Sequence, residues 1–205
     1  MMRVMKFGGT SMGSVEALSN VRSIVSNEPS KKVIVVSAMS KVTNLLISWI
    51  DSKQPPIEDV LETLFDRHME ILEPLLSKEL REAYEQDVKK RLEKLSELMK
   101  HYTFQPSTAL ADAISSWGER LSSLSLLYVL QSAGVDAIRM TSEEAGIIAK
   151  GPPGMGACDL EATSPNLKKN ILPLIEEGKT VVLTGFYGVN DQGRPLTLGR
   201  GGSDY

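Results

Sequence analysis

The alternation of apolar and polar positions along the chain predicts an α/β fold. A short apolar strand, Val4 to Phe7, runs into a Gly-Gly turn, and apolar residues with helical spacing follow Ser14, a good N-cap. The β-branched run from Lys32 to Ala38 is typical of a buried parallel strand. Strand, glycine turn, helix and strand in this order indicate a βαβ unit with a right-handed crossover.

The segment from Ile57 to about His101 has a different pattern, because its apolar residues stand among many charges. It predicts two helices joined near Leu76-Ser77-Lys78, forming a helical insertion over residues 55–102. The insertion could be a lobe or lid, but a charge-rich helix pair favours a solvated structural arm. The two histidines of the chain, His68 and His101, are then both expected at the surface.

Strands and helices alternate again in the second half of the chain. The predicted elements are one long buried helix from Thr108 to Ser132, a strand from Val135 to Met140, a loop from Gly151 to Gly156, a helix that begins at Ser164-Pro165 and ends at Gly178, and a strand from Lys179 to Gly185. A turn from Asn190 to Gly193 then predicts a β-hairpin. The whole pattern predicts a doubly wound, mainly parallel open sheet with helices on both faces.

Composition narrows the possible functions. The 205 residues are enough for one α/β domain, and 23 basic against 26 acidic residues without a dense basic stripe give no sign of nucleic-acid binding. No apolar run reaches the length of a transmembrane helix, and the first residues lack the apolar core of a signal peptide. The single cysteine, Cys158, excludes an internal disulfide and fits a reducing compartment, so we expect a cytoplasmic protein.

Ligands of doubly wound sheets bind beyond the carboxyl ends of the strands, which draws attention to the loops there. The first loop contains Lys6, Gly8 and Gly9, where backbone N–H groups and a lysine charge suit phosphate oxygens. A tight turn would explain the two glycines equally well. The loop from Ser37 to Asn44 offers hydroxyl groups and a helix N-terminus for a carboxylate or phosphate, although an N-cap cluster is the simpler explanation.

The third loop, Thr197 to Asp204, is the most informative. Three glycines surround Arg200, and Ser203-Asp204 follows at the start of a predicted helix. A generic glycine-rich turn explains the glycines but not the arginine and aspartate among them. This composition predicts a loop that binds an anion.

Four segments carry a resemblance to a known family. KFGGTS, VSAMSKVTNLL, SWGERLSS and GFYGVNDQGRPLTLGRGGSDY follow one another in the order found in the aspartate kinases, which belong to the amino acid kinase family. The resemblance implies that the γ-phosphoryl group of ATP, with Mg²⁺, is transferred to the side-chain carboxylate of L-aspartate. The product would be 4-phospho-L-aspartate, the first intermediate towards lysine, threonine and methionine. A homo-oligomer, as a dimer, is also implied.

The resemblance also implies roles for individual residues. Lys6 and Asp204 would be catalytic, and Asp204 would help to hold Mg²⁺ through water. The predicted ATP phosphate contacts are Lys6, Gly8, Gly9 and Thr10, and the predicted aspartate contacts are Ser37, Thr43, Glu119, Arg200 and Ser203. Glu119 would pair with the ammonium group, Arg200 with the α-carboxylate and Thr43 with the reacting carboxylate.

The residues themselves support part of this assignment. Glu119 lies in an apolar-rich helix, where an unpaired charge is costly. The attacking carboxylate is already ionised at neutral pH, so the reaction needs no general base.

Members of the family continue beyond the GRGGSD motif into a nucleotide-binding half and, in most cases, ACT regulatory domains. We therefore expect residues 1–205 to be part of a kinase domain and to be inactive alone. Two alternatives remain open. One is a related kinase acting on acetylglutamate, glutamate or a nucleotide, although an ammonium partner such as Glu119 makes little sense for an acylated amine. The other is a non-catalytic binding or assembly module.

Overall fold

Four parallel strands form the central sheet in the computed structural model of the chain, which describes residues 2–199. They lie in the order β1-β2-β6-β3, and each neighbouring pair is parallel. Two short antiparallel pairs, β4 with β5 and β7 with β8, accompany this sheet. The strands are β1 (Met2–Phe7), β2 (Lys31–Val36), β3 (Ala137–Met140), β4 (Ala149–Lys150), β5 (Ala157–Cys158), β6 (Thr180–Thr184), β7 (Tyr187–Val189) and β8 (Pro195–Thr197). The predicted parallel sheet and β-hairpin are confirmed.

Helices connect these strands. They are α1 (Val15–Asn27), α2 (Val42–Ser52), α3 (Ile57–Leu72), α4 (Lys78–Phe104), α5 (Thr108–Ser115), α6 (Trp117–Ser132), α7 (Ser142–Ala145), α8 (Leu160–Asn170) and α9 (Leu172–Glu176), with one turn of 3-10 helix at Glu73–Leu75. Ser14 caps α1 as predicted, since its hydroxyl accepts the Ala17 N–H at 3.1 Å.

Side chains alternate between the two faces of the sheet, and each face has its own helical layer. Ile34 and Val36 of β2 lie in the larger core, which the sheet shares with α1, α2 and α6. Val33, on the opposite face of the same strand, lies in a smaller core with Ile171 and Ile175 from the region of α8 and α9. Helices on both faces of the sheet are therefore confirmed.

The face with the smaller core is only partly covered. An apolar groove of about 480 Å³ runs along it, and Met2, Val4 and Leu172 form part of its wall. Met2 and Val4 of β1 are 52% and 65% exposed. Within residues 2–199, β1 is thus an edge strand that presents apolar side chains.

The charged segment forms two helices as predicted, but the prediction of a solvated arm is wrong. α3 and α4 pack against α6, and their apolar sides belong to the larger core. Leu64, Tyr84 and Leu95 are completely buried there. The Tyr84 hydroxyl also makes a 2.8 Å hydrogen bond with Ser125 Oγ of α6. The charges lie on the outer sides of both helices, which is how an amphipathic pair covers a core.

The surface prediction for the two histidines is correct for His101 and wrong for His68. His68 is completely buried, and its Nδ1–H donates to the Leu64 carbonyl oxygen at 2.7 Å. Its Nε2 is buried without a hydrogen-bond partner among the described residues. Burial lowers the pKa of His68 to about 4, and the nearby Arg67 charge acts in the same direction. The ring is therefore neutral at pH 7, which allows it to lie in the core.

The predicted helix from Thr108 to Ser132 is in fact two helices. α5 ends at Ser115, and α6 begins after Ser116, whose ψ of −11° departs from the helical value. The Ser116 hydroxyl donates to the Ala113 carbonyl oxygen at 2.8 Å, an alternative to regular helix that serine readily offers. The break lies just before Gly118 and Glu119, which contact the loop after β2.

The helix predicted to begin at Ser164-Pro165 begins earlier, at Leu160. Asp159 is its N-cap, with the carboxylate accepting the Ala162 N–H at 3.0 Å. Pro165 is the sixth residue of α8, so the hydrogen bond that an N–H there would make to the Glu161 carbonyl is missing from this helix. The predicted start was too late because Ser164-Pro165 has the form of a serine N-cap followed by proline at the first helical position.

Candidate functional site

The carboxyl ends of three neighbouring strands lie side by side. Phe7 of β1 pairs with Val36 of β2, and Val36 pairs with Thr184 of β6. The ladder continues one residue further, because Ser37 N–H donates to the Phe7 carbonyl at 3.0 Å and Gly185 N–H donates to the Val36 carbonyl at 2.9 Å. The loops after these strands therefore meet at one edge, where doubly wound sheets bind their ligands.

The first two loops lock together through Gly9. Its carbonyl oxygen accepts hydrogen bonds from Ser40 N–H at 3.1 Å and from Ser40 Oγ at 2.8 Å. A Cβ at Gly9 would lie 2.9 Å from the Ala38 carbonyl oxygen, so the close contact requires glycine. A Cβ at Gly8, in contrast, would have no described atom within 4 Å. Gly9 therefore holds the loops together, whereas Gly8 borders open space.

Glu119 lies behind the loop that follows β2 and contacts it. Its side chain is 3% exposed, and Oε1 accepts the Ala38 N–H at 2.9 Å. Oε2 is buried and has no hydrogen-bond partner among the described residues. Burial raises the pKa of Glu119 to about 8, although the hydrogen bond from Ala38 lowers it in part. A buried carboxyl group with one oxygen atom that lacks a partner can bind a cation.

Gly118 allows α6 to approach this loop closely. A Cβ at position 118 would lie 2.6 Å from Ala38 Cβ and 3.5 Å from Thr43 Oγ1. The glycine of the SWGERLSS segment therefore brings Glu119 into contact with the loop that carries Ser37 and Thr43.

The residue after Glu119 anchors the start of α6. Arg120 forms an ion pair with Glu143 of α7, and its guanidinium lies 5.0 Å from the centre of the Tyr187 ring. The Tyr187 hydroxyl donates to Glu143 Oε2 at 2.9 Å. Burial alone would raise the pKa of Glu143, but the Arg120 charge and the hydrogen bonds that the carboxylate accepts together outweigh it, so the pKa is lowered. This ionised pair fixes α6 against α7 and β7.

Lys6 and Glu119 reach the edge of the sheet from opposite faces. Lys6 lies on the same face of β1 as Met2 and Val4, whose side chains border the apolar groove. Glu119 belongs to α6, which packs in the core on the other face. A ligand that contacted both would extend across the edge.

Four of the predicted site residues, Gly8, Gly9, Thr10 and Ser37, lie on the meeting loops, while Lys6 ends β1, Thr43 is in the first turn of α2 and Glu119 is in α6. Lys6 and Thr10 are exposed, Gly8, Gly9, Ser37 and Thr43 are partly buried, and Glu119 is buried. Arg200, Ser203 and Asp204 lie outside the described residues. The roles proposed for all ten residues stay predictions.

Asp112 supports this region and was not among the residues predicted from the sequence. The residue is 6% exposed, and its carboxylate accepts hydrogen bonds from Thr197 N–H at 3.1 Å, Thr197 Oγ1 at 2.9 Å and Gly154 N–H at 3.0 Å. An acidic residue in the apolar run TALADAI is the same signal that pointed to Glu119, and it could have been read in the same way.

Phe186 was also missed, and no sequence signal points to it. It follows Gly185 at the carboxyl end of β6 and has a φ of +70°, a strained value for a residue with a side chain. Its carbonyl oxygen accepts the Leu198 N–H at 2.7 Å, which holds the β7–β8 hairpin close to the edge.

Two classes of site are not found in the described part of the chain. Residues 2–199 contain no group of three or more His, Cys, Asp or Glu side chains arranged to hold a metal ion. Over the same residues, no helix combines the length and apolar character that crossing a membrane requires.

The chain is similar to known aspartokinases over almost its entire length. It is 30% identical to lysine-sensitive aspartokinase 3 of Escherichia coli over 98% of this chain, and 30% identical to an aspartokinase of Helicobacter pylori over 100% of it. It spans 44% and 38% of those two proteins.

The crystal structure of E. coli aspartokinase III in complex with aspartate and ADP superimposes with a TM-score of 0.88. The sequence identity is 29%, and the match covers 100% of this chain and 45% of the other. The fold of residues 2–199 is therefore that of an aspartokinase segment.

The family model of the amino acid kinases matches residues 1–205 without interruption. Because the match, the parallel sheet and the glycine-lined edge agree, the chain belongs to the amino acid kinase family.

Proposed function

We propose that this chain supplies the aspartate site and the phosphate-contacting loop of an aspartate kinase. The reaction is transfer of the γ-phosphoryl group of ATP to the side-chain carboxylate of L-aspartate, which gives 4-phospho-L-aspartate and ADP. The observation that carries the proposal is Glu119, a buried carboxyl group at the strand edge whose Oε2 has no partner within residues 2–199.

An ammonium group suits this carboxyl group. A cation next to Oε2 would supply the missing hydrogen bond and favour the ionised form, lowering the pKa from its raised value of about 8. Acetylglutamate has no free ammonium group, so a buried carboxylate here would gain nothing from it. Glu119 therefore favours a free amino acid as the substrate.

The other loops would supply hydrogen-bond donors to the two carboxylates of the substrate. Thr43 lies in the first turn of α2, and the N-cap residue Lys41 makes no side-chain capping bond to the N–H groups of that turn. These N–H groups and the Thr43 hydroxyl suit the reacting carboxylate. Ser37 would also form a hydrogen bond with the substrate. Arg200 and Ser203, which follow β8, would bind the α-carboxylate.

The loop after β1 fits a polyphosphate. Gly8 borders open space, so its backbone can approach phosphate oxygens closely, and Lys6 brings a positive charge to the same edge. Gly9 and Thr10 would complete the contacts. The carboxylate oxygen forms the new bond to the γ-phosphorus as the bond to the β,γ-bridging oxygen breaks, and no proton has to move. The main obstacle is the repulsion between two anions, which Lys6 reduces.

Mg²⁺, when bound with ATP, would neutralise charge on the phosphate oxygens. The described residues provide no cluster of acidic side chains for it, so the phosphates and water would supply most of its ligands. The proposed contact of Asp204 through water stays a prediction.

The similar E. coli protein whose structure holds aspartate and ADP supports both ligands. This chain spans 45% of that protein, and we propose that the contacts to the nucleoside belong to the part not spanned here. Residues 1–205 alone are then expected to bind aspartate weakly and to transfer no phosphoryl group, because the phosphates are not positioned without the nucleoside. A dimeric assembly and a cytoplasmic location also stay predictions.

Binding of amino acids to the chain tests the substrate. L-Aspartate should raise the melting temperature in proportion to its occupancy, and N-acetyl-L-aspartate, which keeps both carboxylates but lacks the ammonium group, should not. Equal stabilisation by both compounds would contradict the role of Glu119. No effect of either, up to high millimolar concentration, would contradict an aspartate site in this segment.

Phosphoryl transfer is tested with hydroxylamine, which traps an acyl phosphate as a hydroxamate. With ATP, Mg²⁺ and L-aspartate, a protein that spans the length of the E. coli relative should form the hydroxamate, and residues 1–205 alone should not. Hydroxamate formed by residues 1–205 and abolished by Lys6→Ala would show that the nucleotide binds within this segment.

A further inference from the structure

The glycine- and proline-rich loop from Gly151 to Gly156 has no role in the site described so far. It lies against the strand that leads to Arg200. Gly156 N–H donates to the Thr197 carbonyl at 2.9 Å, and Gly199 N–H donates to the Gly156 carbonyl at 3.2 Å. A Cβ at Gly156 would lie 2.8 Å from Leu196 Cγ, so this contact requires glycine. The loop and β8 therefore form one unit.

Asp112 of α5 holds both parts of this unit. Oδ2 accepts Thr197 N–H at 3.1 Å and Gly154 N–H at 3.0 Å, while Oδ1 accepts Thr197 Oγ1 at 2.9 Å. Both oxygens are occupied, and the side chain lies almost entirely out of water. Buried hydrogen bonds of this kind fix geometry, because breaking them leaves polar groups without partners.

The position of Asp112 in the chain links this unit to the aspartate site. Asp112 precedes the break at Ser116, and Glu119 follows it. The two sides of this break therefore hold β8, through Asp112, and the proposed ammonium partner, Glu119. Gly199, the last described residue, is two residues beyond the Thr197 contact and directly precedes Arg200.

We propose that Asp112 is a positioning residue, which fixes β8 and Gly199, the residue before Arg200, relative to Glu119. The inference rests on the proposed function, because it assumes that Arg200 and Glu119 bind the two ends of one amino acid. Asp112 does not touch the substrate. It acts through Thr197 and the Gly151–Gly156 loop.

The hydrogen-bond geometry makes a distinctive prediction for Asp112→Asn. An asparagine can place its oxygen where Oδ2 accepts the two N–H groups, and its NH₂ group can donate to Thr197 Oγ1, since a hydroxyl also accepts. All three contacts then survive without the charge. Asp112→Ala removes them all. The asparagine variant should therefore behave like the wild type, and the alanine variant should not.

The experiment measures the affinities of residues 1–205 for L-aspartate and L-isoasparagine by isothermal titration. Isoasparagine keeps the ammonium group and the side-chain carboxylate but carries a neutral amide in place of the α-carboxylate. Asp112→Ala should reduce the preference for aspartate roughly tenfold or more, because misplacement by an ångström can cost that much, and should leave isoasparagine binding within about twofold. Asp112→Asn should keep the preference. The control is Asp136→Ala, which removes an exposed carboxylate paired with Lys179.

A parallel fall in both affinities would overturn the inference, since Asp112 would then support the whole fold. An asparagine variant that loses the preference like the alanine variant would also overturn it. If Asp112→Ala does not fold, Thr197→Val removes one of the three donors and should give a smaller loss of preference in the same direction.

Amide hydrogen exchange tests the bracing role without a ligand. Asp112→Ala should speed exchange at Gly154, Thr197 and Gly199 roughly tenfold or more and leave Ala38 unchanged. Unchanged exchange at the first three would contradict the inference. A wild-type chain that bound neither amino acid would instead contradict the proposed function, and the exchange result would then decide the bracing role alone.

Discussion

Glu119 and His68 show how the same physical signature can mark two different things. Both side chains are buried, each has one hydrogen-bonded atom, and each has a second polar atom without a partner in the described chain. Burial moves both pKa values towards the neutral form, to about 8 for Glu119 and to about 4 for His68.

Their surroundings differ. Glu119 lies behind the loops at the carboxyl edge of the sheet, next to Ala38 and Thr43. His68 lies in α3 within the helical core, and its contact is a carbonyl of its own helix, that of Leu64. A perturbed pKa thus indicates a functional residue only where a ligand can reach the group.

The largest expected effect separates the two residues by binding. Glu119→Gln should weaken L-aspartate binding by roughly 2–5 kcal/mol, because the ammonium group would lose its charged partner in a buried site. His68→Gln should leave the affinity unchanged. Isothermal titration of both variants measures the difference, with Glu97→Gln, an exposed glutamate on α4, as the control. Equal losses at Glu119 and His68 would remove the distinction between them.

The pH dependence of stability should show the two groups acting in opposite directions. His68 has a pKa of about 4 when folded against 6.5 as a free group, so the unfolded state binds more protons between these values. The free energy of unfolding should therefore fall by roughly 3 kcal/mol as the pH drops from 6.5 to 4. Glu119 has a folded pKa of about 8 against 4.5, so the folded state holds the extra proton. The free energy of unfolding should therefore also fall, by roughly 5 kcal/mol, as the pH rises from 4.5 to 8.

Urea unfolding between pH 4 and pH 8 measures both predicted changes in the free energy of unfolding, the one on the acid side and the one on the alkaline side. His68→Gln should flatten the acid side, and Glu119→Gln should flatten the alkaline side and stabilise the chain at pH 8 while it loses aspartate binding. A Glu119→Gln variant less stable than the wild type at pH 8 would show that the carboxyl group is not destabilised by ionisation in the folded chain.

A third prediction asks whether position at the carboxyl edge, rather than charge alone, determines function. In a form of the protein with kinase activity, Lys6→Ala should lower kcat by about two orders of magnitude while aspartate binding survives. Lys31 is the matched control, since it is an exposed lysine at the opposite end of the neighbouring strand. Equal effects at Lys6 and Lys31, or an unchanged kcat for Lys6→Ala, would contradict the phosphoryl role.

The smallest expected effect separates the two glycines of the first loop. Gly9→Ala should destabilise the chain by roughly 1–3 kcal/mol, because the new Cβ would press on the Ala38 carbonyl oxygen. Gly8→Ala should change stability by less than about 0.5 kcal/mol, since no described atom lies near the added Cβ. Urea unfolding of both variants measures the two losses of stability. A larger loss for Gly8→Ala than for Gly9→Ala would contradict the different roles given to the two glycines.

Local patterns were sufficient to predict much of the fold. The run KVIVV predicted a buried strand because β-branched residues on both faces fit a parallel sheet covered by helices, and that strand is β2. Ser14 and the turn at Ser77 were correct because a cap depends on residues within one helical turn. The positions of the loops after β1 and β2 were predicted for the same reason, since glycines and hydroxyls at strand ends are local features, and the roles of these loops stay predictions.

Contacts between distant residues were beyond the reach of these patterns. His68 was assigned to the surface because its neighbours in sequence are charged, whereas its burial depends on α4 and α6 packing over α3. The role of Asp112 depends on Thr197, which is 85 positions away in the chain. The separate tasks of Gly8 and Gly9 depend on where the loop after β2 lies.

The sequence by itself therefore determined the order of elements, the family resemblance and the residues available for chemistry, because each follows from spacing along the chain. Only the tertiary structure decided which polar groups are buried, which of them keep a free acceptor at the edge of the sheet, and which are enclosed in the core. Burial and hydrogen bonding arise from residues brought together across the chain, and they set the pKa values that distinguish Glu119 from an ordinary surface glutamate.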